Sequence, residues 1–219
     1  IRLERMNAKR KEKIESVERE KEREMDRNSN EYLSNYISNN LFNSKKIKVL
    51  YIVGVEDSIR NVTLMKNNYE ILKNYDEITW CFNHFDGENS EWIKEEWYNN
   101  SKFIKNVGLG SKITQWLKVT PDIANNYDYL WFSDGDIGLE KFNWEIYSSM
   151  LLNMKPILSQ PGVIAGETGR ASDHKHLSLT VDKKDNIHIC NENIEIQTPF
   201  ISTKIWSLVY EKMNITDKR

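Results

Sequence analysis

The chain has 219 residues and a mass of 25.9 kDa, with 39% hydrophobic residues, 29% charged residues and a formal net charge of -2. A balance so near neutral supplies no field that would recruit nucleic acid or an anionic bilayer, which excludes both as charge-driven partners. No apolar run is long enough to span a membrane, since the longest, residues 49–55, is strand-sized.

In chain order, residues 2–27 are mostly Arg, Lys, Glu or Asp. Pairs such as Glu15 with Arg19 and Glu18 with Lys21 support a solvated helix, with a disordered tail as the alternative. Residues 1–45 therefore read as a charged helical or disordered segment and linker, and residues 46–219 as one domain. From residue 47 the pattern alternates. A branched-aliphatic strand over 47–55 precedes a helix over 60–74 marked by Val62, Met65, Tyr69 and Leu72. Strands follow over 77–85 and 103–109, then a helix from Ser111 that meets Pro121, and a strand ending at Asp134. A helix over 144–154, a strand over 157–160, extended pieces over 177–181 and 187–190, a strand over 194–202 and a helix over 204–213 complete the domain. Such alternation predicts an α/β fold, a mostly parallel Rossmann-type sheet flanked by helices, with ligands at the carboxyl ends of the strands.

Tyr129-Leu130-Trp131-Phe132-Ser133-Asp134-Gly135-Asp136 carries the most chemistry. A strand buried on both faces does not end in two acids unless something neutralises them, and glycine between them lets both carboxylates converge on one hard cation. Asp134 and Asp136 are thus candidate ligands for Mn2+ or Mg2+, against the plainer reading of a surface turn. Gly54 and Asp86 end two earlier strands on the same expected rim. Gly54 would admit a flat base or sugar, while Asp86 and Asp134 would serve a nucleotide sugar's ribose or base and its diphosphate. This is the layout of a GT-A type glycosyltransferase, whose leaving diphosphate needs its charge neutralised. Asp134, Asp136 and Glu145 also occupy the first, third and twelfth places of a calcium loop, but Leu139 stands where that loop requires glycine.

The remaining candidates are weaker. Lys112 could pair with phosphate or be plain surface charge, and His174 and His176 beside Asp173 could touch a sugar or lie in a solvated loop. Trp92, Trp97 and Trp116 could stack on sugars, although rings of that size more often fill cores. Cys81 and Cys190 show no metal or redox spacing and read as small buried hydrophobes, a disulfide being the alternative. Sequons at Asn61, Asn99 and Asn214 occur as often as this Asn-rich composition produces by chance.

The ordered motifs Phe85-Asp86-Gly87, Glu91-Trp92, Glu96-Trp97, Pro121-Asp122-Ile123, Asp134-Gly135-Asp136-Ile137-Gly138-Leu139, Ser159-Gln160-Pro161 and Glu195-Ile196-Gln197-Thr198-Pro199-Phe200, with Trp206, resemble the glycosyltransferase-like proteins catalogued as domain of unknown function 707. The resemblance implies a GT-A-like fold, a nucleotide-sugar donor, and a glycan or protein acceptor. It further implies residence in the Golgi or secretory-pathway lumen through a membrane anchor absent from this chain. Glu195, within the matched region, is the candidate acid or base near sugar or acceptor. Two departures stand out: Gly135 replaces an acid common in the family, and the family continues past the last helix into a Trp-Gly-Leu-Asp segment where this chain stops at Arg219. A carboxyl-terminal truncation, with the chain an inactive fragment, is the corresponding expectation. A noncatalytic carbohydrate- or protein-binding module on the same sheet is the alternative to an enzyme.

Overall fold

Continuous runs of branched and aromatic residues need apolar cover on both sides, and the centre of this sheet provides it. The computed structural model describes residues 46–163 and 196–217. The charged amino-terminal segment, Asp173, His174, His176, Cys190, Glu195 and the extended pieces over 177–181 and 187–190 lie outside the described residues.

Strand β1 (Val49–Val55) leads through helix α1 (Ile59–Leu72) to β2 (Ile78–His84). Two single turns of 3-10 helix, Trp92–Lys94 and Trp97–Asn99, precede β3 (Ile104–Val107). Short helices α2 (Lys112–Trp116) and α3 (Pro121–Ala124) return the chain to β4 (Tyr129–Asp134). Helix α4 (Trp144–Met154), β5 (Leu158–Ser159), β6 (Phe200–Ser202) and α5 (Thr203–Asp217) follow. The strand order is β3-β2-β1-β4-β6-β5. The first four strands are mutually parallel, while β6 runs antiparallel to both β4 and β5. The fold is therefore α/β, with a mixed, mostly parallel sheet flanked by helices.

Alternation along β1 divides the core into two layers. Val49, Tyr51, Val53 and Val55 pack with Val62, Met65 and Leu72 of α1, Trp80, Trp92, Trp131 and Trp144 on one face. Leu50 and Ile52 pack with Cys81, Leu130, Phe132, Val119, Ala124 and Trp206 on the other. Trp92 belongs to this core, being fully buried with its indole donating to the Glu56 carbonyl at 2.9 Å. Trp97 packs against the same cluster, and Trp116 stacks on Phe132 at 4.2 Å. Cys81 is a free buried thiol, its pKa pushed up to about 12 by burial.

Several elements differ from the sequence-based expectation. Pro121 does not simply end the preceding helix; it opens α3 at a first-turn position, where its missing N–H costs no hydrogen bond, and Thr120 caps the helix by accepting from Ile123 N. The expected strand over 194–202 is a three-residue strand in its described part, preceded by a turn. Among the described residues no helix is long and apolar enough to cross a membrane.

Candidate functional site

The chain leaves β1 toward β2 on one side and comes back to β4 on the other. β1 and β4 are thus neighbours that are not consecutive in the chain, the kind of switch point beside which open sheets place ligands. Gly54 lies opposite Asp134 on β4 and opposite Asn83 on β2, so the three strand ends share one rim.

Beyond β4 the chain turns at once. A Cβ on Gly135 would collide with the Gly54 carbonyl oxygen and crowd the Asn61 amide, so a side chain at this position needs the loop to move. Two asparagines of α1 hold that loop in place. Asn61 donates to the Gly135 carbonyl at 2.6 Å and accepts from Glu56 N at 3.3 Å. Fully buried Asn68 donates to the Ile137 carbonyl at 2.8 Å and accepts from Leu139 N at 2.9 Å. Spaced seven apart, these residues lie two helical turns from one another on the sheet-facing side of α1. Sequence reasoning missed both. The available signal was two amides inside the apolar stripe of Val62, Met65 and Leu72, where a side chain that both donates and accepts must find backbone partners.

The two acids differ in surroundings. Asp136 is exposed and has no ion-pair partner among the described residues. Asp134 is half-buried and paired with Lys112, Nζ to Oδ1 2.5 Å. Burial raises the Asp134 pKa above its ordinary value against the pull of Lys112, and the neighbouring Asp136 charge raises it further. Lys112 also donates to the Ile196 carbonyl at 3.2 Å. It reaches both groups because Gln115, buried one turn later in α2, donates to the Gly108 carbonyl at 2.9 Å while the Gln115 carbonyl accepts from Asn83 at 2.9 Å.

Asp86 lies two residues past β2, and its carboxylate already holds backbone, accepting from Asp57 N at 2.6 Å and Glu88 N at 3.2 Å. Asp57 in turn accepts from Ser90 N, Ser90 Oγ and Glu91 N at 3.0, 2.6 and 2.8 Å. Burial works against the Asp57 charge, but these donors outweigh it and hold its pKa below the usual value. The half-exposed Phe85 ring lies beside Gly54, its Cδ1 3.8 Å from where a Cβ would stand.

Among the described residues no three of His, Cys, Asp and Glu converge on one point. The donor set at the rim is a pair of carboxylates. Mg2+-like ions are commonly held by one or two carboxylates and completed by water, so Asp134 and Asp136 are the residues that could hold one, with one Asp134 oxygen already engaged by Lys112.

The chain belongs to the family described as "Protein of unknown function (DUF707)", which matches residues 11–215. None of the curated proteins matches it. Among solved structures it is similar to the apo form of the glycosyltransferase GlyE of Streptococcus pneumoniae TIGR4, with 14% identity and a TM-score of 0.39 over 79% of this chain and 39% of that one. It is also similar to 4-diphosphocytidyl-2C-methyl-D-erythritol synthase of Anaerococcus prevotii DSM 20548, with 15% identity and a TM-score of 0.41 over 76% of each chain. This chain spans about two fifths of the length of GlyE.

Proposed function

We propose that this DUF707 protein binds a nucleoside-diphosphate sugar at the carboxyl rim of its sheet and transfers the sugar to a glycan or protein acceptor, with Asp134 and Asp136 holding Mn2+ or Mg2+. The observation that carries this reading is the position of Asp134, paired opposite Gly54 at the carboxyl ends of β1 and β4, with Asp136 two residues further on a turn pinned by buried amides. A divalent cation there would neutralise the charge that builds on the departing diphosphate. Gly54 leaves the backbone open to a flat group, and the Phe85 ring beside it offers a stacking face. Asp86 keeps acceptor capacity beyond its two backbone partners, enough for a ribose hydroxyl. Glu195 is assigned the acid or base role at the acceptor on the strength of the family motif over 195–200.

A binding module without turnover is the second reading. It is favoured by the ion pair that already engages Asp134 and by the backbone duty of Asp86. A thermal-shift screen of UDP- and GDP-sugars with and without manganese, followed by assay of released nucleoside diphosphate, separates the two. Shifts with release support transfer, and shifts without release support the module. Asp134→Ala and Asp136→Ala are each expected to weaken manganese-dependent nucleotide-sugar binding by more than about a hundredfold in calorimetry. Unchanged binding removes the metal role.

A further inference from the structure

Lys112 is the one described cation within salt-bridge reach of the acid pair. With Lys112 in place, the two carboxylates carry two negative charges against one positive charge, and the ammonium lies on one of the two Asp134 oxygens, Oδ1. Two cations cannot share Asp134 Oδ1 at ligand distance without strong repulsion. The pair is also open enough to rearrange, since the Lys112 and Asp134 side chains are 36% and 31% exposed. Its other contact, the Ile196 carbonyl, is a single hydrogen bond at 3.2 Å. Only the first turn of α2 carries Lys112, while Gln115 fixes the helix below it, so the ammonium can swing on its flexible stem without moving the backbone.

We propose that Lys112 is an exchangeable counter-ion: it neutralises Asp134 in the ligand-free protein and transfers its ammonium to the diphosphate when a divalent cation and nucleotide bind. This rests on the functional reading above and adds a role for Lys112 as a positioning residue. In the free protein it competes with metal, and in the complex it adds a positive charge facing a polyanion. Removing it should therefore act in opposite directions on the two ligands, which a purely structural lysine would not do.

The test is calorimetric titration of the full chain and of its Lys112→Met and Lys112→Gln variants with Mn2+ alone, and with UDP in saturating Mn2+. Circular dichroism melting checks that each variant folds, and the Gln variant retains a donor for the Ile196 carbonyl. The expected result is Mn2+ binding about tenfold tighter in both variants, with UDP binding about tenfold weaker. Mn2+ affinity that is unchanged or weaker in the variants, or UDP affinity that is retained, overturns the role of Lys112 while leaving the metal reading intact. Absence of Mn2+ uptake by every form, Lys112→Met included, overturns the metal reading and the exchange together.

Discussion

His84 ends β2 on the rim with its imidazole fully buried and Nε2 2.8 Å from the Tyr98 hydroxyl. Burial pushes its pKa down to about 4 from an ordinary 6.5, against the upward pull of Asp86 and Asp57. The unfolded chain therefore takes up this proton before the folded one does, and stability falls as the pH drops from 6.5 toward 4. The expected loss over that window is on the order of 3 kcal/mol. Urea unfolding at both ends of the window should show this pH dependence shrinking in His84→Gln. Asn61 offers a second lesson at this scale. Its sequon reads from sequence as a chance match, and its amide is in fact committed to the Gly135 carbonyl and nearly inaccessible, so the folded chain offers no nitrogen there for a glycan. Nothing in a three-residue motif reports whether its amide is free.

Among the elements, α1 does more than cover the sheet. Ser58 caps it by accepting from Asn61 N, and Asn68 then meets both a carbonyl and an N–H of the loop after β4. Asn68→Ala would leave those two groups buried and unpaired, and a loss of about 3 kcal/mol in urea unfolding is expected. The amide of Leu139 should also exchange faster with solvent in this variant. The strand core of β1, β2 and β4 was legible because runs such as Val49–Val55 have no other way to hide their side chains. The connection to the loop was not. It joins residues 69 to 71 positions apart, and helical periodicity describes only which face of α1 is buried, never what that face meets.

For the whole molecule, the layers and the rim shared by Gly54 and Asp134 followed from strand ends falling in the order that parallel crossovers require. The reversed direction of β6 did not follow. This strand has only three residues, and its antiparallel pairing with β4 and β5 depends on where the chain re-enters the sheet. The Lys112 to Asp134 pair was equally hidden, since it needs α2 and β4 brought together on one rim. The stability of the assembly rests on aromatic packing at its middle. Trp131 is fully buried, 4.0 Å from Tyr51 and 4.6 Å from Phe200 by ring centroids, and its indole donates to Thr198 Oγ1 at 2.9 Å. Trp131→Ala is expected to cost about 3–5 kcal/mol in denaturant unfolding, as for other large buried rings.

The central pairing of β1 with β4 also sets an order of events during synthesis. Residues at its base, Lys48 and Asp128, are 80 positions apart, whereas β2 begins at Ile78 and can join β1 much sooner. As the nascent chain leaves the ribosome, β1 must wait with one bare edge until residues 129–134 emerge. The junction of β1 with β4 thus comes into being well after that of β1 with β2, and until then an unpaired strand edge is open to a stray partner.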